Sequence, residues 1–152
     1  MKAELVLAAI AAAVFAAPVQ GATISLAGTV LNSCVLAIPT PGLMVTDAAG
    51  TTLRSDSGLG ARAASLTVVA VGATPTLSFS APQYSGTAGV SPDSVQFSYS
   101  AAGSGASRGY SNAAATATSH LIDNFTVNGK IERAGGFPTG TYGMTIDVTC
   151  GQ

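Results

Sequence analysis

Two cysteines, Cys34 and Cys150, are the residues with the clearest chemistry in this 152-residue chain. Each follows a run of alternating apolar and polar residues, one near the start of the chain and one at its end. Two cysteines in an exported protein favour a disulfide, and closing so long a loop stabilises by up to about 4–5 kcal/mol in the chain-entropy model. We expect an intramolecular Cys34–Cys150 bridge; an intermolecular bridge or two free thiols are the alternatives.

Residues that could support catalysis are few. His120 is the only histidine, and no serine lies in a G-x-S-x-G turn that would expose it as a nucleophile. Asp123 and Asp147 could approach each other across strands, but Asp147 has outward parity and Asp123 is expected to precede its strand. Two cysteines and one distant histidine do not have the spacing of a zinc site. The sequence therefore predicts no enzyme, no metal site and no cofactor.

The last segment of the chain predicts the strand that carries Cys150. Its apolar residues recur at every second position, which is the period of a strand with one buried face. These residues are Tyr142, Met144, Ile146, Val148 and Cys150.

The first segment of the mature chain has the same pattern and predicts a first strand. Ile24, Leu26, Val30 and Cys34 share one parity, and Gly28 lies between them. Both cysteines are therefore expected on the inward faces of the first and last strands.

Short strands are predicted between these two ends. Alternation is clear over 94–100 and 123–133, apolar runs occupy 66–71 and 77–79, and Gly, Pro, Ser and Asn separate them. The Gly/Ser/Ala stretch 101–119 is expected to be a mobile loop or a sheet edge. About seven short strands at this spacing predict an all-β, immunoglobulin-like sandwich. Pro39 and Pro41 exclude a central strand at their positions.

The N-terminus predicts export. Lys2 precedes an apolar run over 5–17, and small residues follow, as in a secretory signal peptide. Cleavage is expected after Gly21, with Ala16 and Ala22 as alternative sites and a membrane anchor as the alternative interpretation. Residues 22–152 then form a single β-sandwich domain.

Charge argues against a nucleic-acid partner. Charged residues make up 9% of the chain, against about 25% in an average protein, and the net charge is −1. The basic residues are scattered and form no stripe. Small and hydroxylated residues take the place of charged residues. This composition suits a subunit that packs against copies of itself, but it also fits simple compositional bias.

Three segments resemble the chaperone–usher pilins, in particular the spore-coat-U-like archaic fimbrial subunits. The segment 24–36 (ISLAGTVLNSCVL) looks like their opening strand, with a glycine and then a cysteine. The segment 65–82 (SLTVVAVGATPTLSFSAP) resembles their strand–turn–strand region. The segment 125–149 (FTVNGKIERAGGFPTGTYGMTIDVT) is similar to their C-terminal region, in which a Pro/Gly turn precedes an alternating final strand.

The resemblance implies an incomplete sandwich that lacks one strand. In the family a periplasmic chaperone fills the groove first, and the N-terminal extension of the next subunit then replaces it at the outer-membrane usher. Tyr142, Met144, Ile146 and Val148 would line that groove. Ile24, Leu26, Gly28 and Val30 would be the donor arm or the subunit's own first strand.

The chain departs from the family pattern in three places. Ala70 stands where the family's second cysteine is expected, so Cys150 would be a relocated partner. Few residues precede Cys34 in the mature chain, and the near-terminal aromatic of the family is absent. A tip subunit or a self-complete domain would explain the short arm.

These observations predict a structural subunit of a bacterial surface fimbria, exported through the periplasm to the cell surface. Its partners would be copies of itself or other pilin subunits, together with the chaperone and usher that the resemblance implies. The alternative is a monomeric periplasmic or cell-surface module that binds carbohydrate or protein. Tyr84 and Tyr110 are its candidate sugar contacts, because Tyr99 and Tyr142 have core parity.

Overall fold

The structure is a computed structural model that describes residues 28–29 and 31–152. Over this part of the chain it contains twelve β-strands and no helix, so it has no helix that could cross a membrane. The all-β, sandwich-like architecture predicted from the sequence is confirmed. The predicted residues Ile24, Leu26 and Val30, and the predicted signal peptide, lie outside the described residues.

The strands are short, and most are separated by turns of Gly, Pro, Ser or Asp. In chain order they are β1 (Ser33–Thr40), β2 (Val45–Thr46), β3 (Thr52–Arg54), β4 (Ala64–Val71), β5 (Thr76–Phe79), β6 (Gln83–Gly86), β7 (Ser94–Ala101), β8 (Ser107–Ser111), β9 (Ala115–Thr118), β10 (Ile122–Glu132), β11 (Tyr142–Thr145) and β12 (Val148–Gly151).

The larger sheet is built around β10. On one side β4 pairs with the first half of β10 and β3 with its end, while β7 pairs with it on the other side. The antiparallel order is β1-β4-β10-β7-β8, and β3 and β2 continue the row beyond the end of β4. β1 and β8 are therefore edge strands of this sheet.

The second layer consists of two consecutive ladders. β5 pairs with β9 and β12, and β6 pairs with β11. Between the ladders, Ser80 N donates to Asp147 O at 2.8 Å, and Asp147 N donates to Ser80 Oγ at 2.9 Å. The prediction of one unbroken final strand is thus wrong. A hydrogen bond from Asp147 N to the Ser80 side chain replaces a ladder bond at Asp147, so the strand divides into β11 and β12.

The core lies between the two layers and is aromatic. Phe79 of the second layer stacks on Tyr99 of the larger sheet, with ring centroids 4.8 Å apart. Phe97 and Phe125 pack around this pair and are fully buried. Phe97, Tyr99 and Phe125 have the inward orientation that alternation predicted, so the period-2 pattern identified the buried face of β7 and β10.

The stretch 101–119 forms the edges that were one of its two expected outcomes. β8 pairs only with β7 and β9 only with β5 among the described residues. Pro39 lies in β1, where the ladder with β4 skips from Ala37 to Thr40. A proline is tolerated there because β1 is an edge strand.

Asp123 corrects a prediction, because it lies inside β10 and not before it. Its side chain is 2% exposed and occupies an inward position. Its carboxylate accepts hydrogen bonds from the backbone N–H groups of Gly103 (2.7 Å), Ser104 (3.0 Å) and Asn124 (2.8 Å). Burial alone would raise the pKa of Asp123, but the hydrogen bonds from Ser104, Gly103 and Asn124 outweigh it and lower the pKa to about 2.

Candidate binding groove

A disulfide joins Cys34 to Cys150, as predicted, and links the two layers of the sandwich. Their Cα atoms are 6.2 Å apart across 116 residues of sequence. Cys34 lies in β1, the edge of the larger sheet, and Cys150 lies in β12, the edge of the second layer. Because the bridge connects these strands, the two sheet edges lie on the same side of the sandwich.

The position of Ala70 explains why this bridge differs from the one that the family resemblance would place here. Cα partners in the β1–β4 ladder include Cys34 and Ala70. A cysteine at position 70 would therefore lie directly opposite Cys34 within one sheet, whereas Cys150 links Cys34 to the other sheet.

An apolar groove of about 420 Å³ lies between these edges. One wall comes from the last segment of the chain, the other from the end of β1 and the loop that follows it, and buried residues form the base. The lining includes Tyr142, Met144, Ile146 and Val148 on the first wall, Ile38, Pro41, Leu43 and Met44 on the second, and Leu66, Phe79, Val127 and Gly129 between them.

All four residues predicted to line a groove are in this lining. Tyr142 and Met144 belong to β11, Ile146 to the interruption, and Val148 to β12. Each is half-buried. The break in the strand does not reverse their parity, because Ser80 and Asp147 hold the two segments in line.

The second wall was not predicted from the sequence. Ile38 and Leu43 are 65% and 52% exposed, although they line an apolar groove. The segment from Pro39 to Met44 has no regular alternation, so periodicity could not place it. Its prolines, Pro39 and Pro41, excluded a central strand but did not predict a groove wall.

The base of the groove depends on a glycine. A Cβ atom added at Gly129 would lie 2.5 Å from Met144 Cε and 3.2 Å from Met44 Sδ. The glycine thus lets one methionine from each wall approach β10. Ser55, which is 4% exposed, fixes this part of β10: its N–H donates to Gly129 O at 3.1 Å, and its Oγ accepts from Gly129 N at 2.9 Å.

Tyr142 is held at the groove by contacts outside it. Its hydroxyl donates to Pro138 O at 2.7 Å, and its ring meets Phe137 edge-on, with centroids 5.1 Å apart. The aromatic wall is therefore held in place by contacts within the chain itself.

The three strands that flank the groove each have one edge with no described partner. Among the described residues, β1 pairs only with β4, β11 only with β6 and β12 only with β5. An extended segment could form backbone hydrogen bonds with such an edge and direct alternate side chains into the groove. The arrangement has the apolar lining and the strand edges that an added apolar β-strand would require.

The remaining candidate residues do not form a second site. His120 is exposed, and its side chain makes no hydrogen bond in the part of the chain that the structure describes. The Asp123 carboxylate accepts hydrogen bonds from backbone N–H groups, whereas Asp147 is exposed in the other layer. The hydroxyl oxygens of Tyr84 and Tyr110 are buried, so neither tyrosine has the free exposure expected of a sugar contact.

The arrangement of Tyr110 has a structural explanation. Arg54 and Lys130 lie over its ring, 5.7 Å and 5.2 Å from the centroid. Arg54 also forms a bidentate ion pair with Asp56 at 2.8 Å. These charged groups lie around the Tyr110 ring on the outer face of the larger sheet.

No protein-family model, no curated protein and no solved structure matches this chain.

Proposed function

We propose that this protein is a structural, non-enzymatic subunit of a bacterial surface fimbria, and that its copies polymerise by donating a β-strand. One observation carries the proposal: an apolar groove of about 420 Å³ lies between two sheet edges on the same side of the sandwich, and no described residue pairs with either edge. A single added strand would cover both the apolar side chains and the free edges.

The donor in this proposal is the N-terminal arm of a neighbouring copy. Ile24 and Leu26 are two positions apart, so in an extended segment both side chains point the same way. They would enter the groove beside Ile146 and Met144. Before assembly, a strand from a periplasmic chaperone would occupy the same groove, and an outer-membrane usher would catalyse the exchange.

The disulfide fits an oxidising compartment. It supports export through the periplasm to the cell surface, as the predicted signal peptide requires. The bridge would also suit repeated strand exchange, because it holds the two edges together while the groove is empty.

A second candidate function is a monomeric periplasmic or surface binding module. The volume of the groove favours it, since small-molecule pockets span about 300–1,000 Å³. In that case the groove would take a ligand, and Ile24, Leu26 and Val30 would remain within the protein's own sheet.

An electrophoresis experiment separates the two. Surface material sheared from cells is run unheated and heated, each with and without reductant. The fimbrial proposal expects a ladder of multiples of the subunit mass that heat abolishes and reductant does not. A single monomer band in every lane would favour the binding module, and a ladder that only reductant abolishes would indicate intermolecular disulfides.

A further inference from the structure

Three apolar side chains form a row across the outer face of the larger sheet, opposite the core. Val35 of β1 is the Cα partner of Val69 of β4, which is in turn the partner of Ile122 of β10. They are 61%, 44% and 69% exposed. Neighbouring strands are about 4.8 Å apart, so the three side chains form one continuous surface.

The row belongs to a larger feature, which we call the outer apolar patch. It consists of Leu31, Val35, Val69, Val71 and Ile122, and the two further members, Leu31 and Val71, are 74% and 58% exposed. Next to the patch on β4 and β10 the surface is polar, because Thr67 Oγ1 donates a hydrogen bond to Asn124 Oδ1 at 2.9 Å. Lys130 and Glu132 lie at the far end of β10. Contiguous, uncharged apolar surface on a soluble domain marks an interaction site.

The position of the patch identifies its occupant. Leu31 lies at the base of the proposed donor arm, and Val71 is the neighbour of Ser33, where β1 begins. From Leu26 to Leu31 there are only five residues, which span at most about 17 Å when extended. If Leu26 enters the groove of another copy, the body of that copy must lie close to Leu31.

We propose that the outer apolar patch packs against the copy of this chain that receives its arm, as a second contact between consecutive subunits. This inference rests on the proposed function. The receiving copy offers Ile38 and Leu43, which are exposed at the mouth of its groove. Patch and groove mouth are different surfaces, so the contact is head-to-tail and compatible with an open polymer.

Thiol labelling tests the proposal with a matched pair of positions. Ile122→Cys lies in the patch, whereas Thr126→Cys lies on the same strand and face, is exposed, and is outside the patch. Each is labelled with a maleimide in native polymer and in Leu26→Asp monomer, after mass mapping has verified the Cys34–Cys150 bridge. We expect Ile122→Cys to react at least about tenfold more slowly in polymer than in monomer, and Thr126→Cys to differ by less than about twofold.

The outcomes separate the two proposals. A heat-sensitive ladder together with equal labelling of Ile122→Cys in polymer and monomer would overturn the patch contact alone. Protection of Ile122→Cys in the Leu26→Asp monomer would also overturn it, since the cover would then not be the receiving copy. Absence of the ladder in the wild type, or its persistence in Leu26→Asp, would overturn strand donation and this inference with it.

A lysine variant gives an independent readout. Ile122→Lys adds a charge to the patch without touching the groove, so the heat-sensitive ladder should remain while fibres become more flexible in electron micrographs. Thr126→Lys is the control and should leave fibre stiffness unchanged. Equal stiffness in both variants would contradict the contact.

Discussion

Cys34 and Cys150 connect the edge strand of one sheet to the edge strand of the other, with Cα atoms 6.2 Å apart. The bridge therefore does more than close the chain end to end. It fixes the distance between the edges of the two sheets on the side of the sandwich that carries the apolar groove.

Replacing Cys34 by serine should destabilise the protein, because the unfolded chain regains the entropy that a 116-residue loop had lost. We expect a loss of up to about 4–5 kcal/mol in the free energy of unfolding and a lower melting temperature. Thermal melts of Cys34→Ser and of the neighbouring control Ser33→Ala measure this. Unchanged melting of Cys34→Ser, with both thiols titratable in the native wild type, would refute the structural role of the bridge.

Asp123 should make the protein acid-sensitive. Its pKa is lowered from 3.8 to about 2 in the folded state, so its stabilising contribution is complete above about pH 4 and disappears as the pH falls toward 2. Asp123→Asn should lower the free energy of unfolding by about 2 kcal/mol at pH 7 and by little at pH 2. Denaturant titrations at both pH values provide the measurement, with the exposed Asp147→Asn as control. A pH-independent difference would contradict the assignment.

Gly129→Ala should narrow the groove and leave the fold intact. The added methyl group would lie 2.5 Å from Met144 Cε, and this flexible side chain must then move into the groove. We expect a change in stability within about 1 kcal/mol and shorter polymers than those of the wild type. Gly109→Ala is the control, because nothing lies within 4 Å of a Cβ atom there. Polymers of wild-type length from Gly129→Ala would argue against a strand beside Met144.

The two faces of the proposed arm should respond differently to charge. Leu26→Asp or Ile24→Asp places a carboxylate on the face that enters the groove, so either should abolish the heat-sensitive ladder and leave an intact monomer. Ser25→Asp places the same charge on the opposite face and should leave the ladder in place. Normal polymers from both apolar-face variants would exclude this arm as the donor.

Sequence periodicity predicted the inward faces of β7 and β10 because Phe97, Tyr99, Phe125 and Ile131 alternate with polar residues. The family resemblance, and not the periodicity, implied that Tyr142, Met144, Ile146 and Val148 line a groove. Periodicity could not predict the break at Asp147, where the apolar alternation continues and the ladder is interrupted because Asp147 N donates to the side chain of Ser80, which follows β5. The contact joins Ser80 and Asp147, which are far apart in sequence, so the local alternation of residues does not predict it.

Asp123 and the second groove wall were missed for different physical reasons. In a sequence, a carboxylate indicates a strand boundary more readily than a buried strand position. The backbone N–H groups that bind the Asp123 carboxylate come from the turn at Gly103 and Ser104, which is distant in sequence, so local pattern does not predict its burial. Ile38, Leu43 and Met44 lie in an irregular segment, where position depends on packing and not on period. The apolar composition of that segment did not predict which way its side chains point.

The most direct measurement is complementation between two defective copies. Leu26→Asp keeps the groove and loses the arm, whereas Ile146→Asp keeps the arm and loses the groove; Met144→Asp is a second groove variant in case Ile146→Asp does not fold. Strand donation predicts only monomers from each variant alone and, when the two are produced together, a heat-sensitive dimer that does not extend. Absence of that dimer from co-production of two folded variants, or polymers from either variant alone, would contradict strand donation.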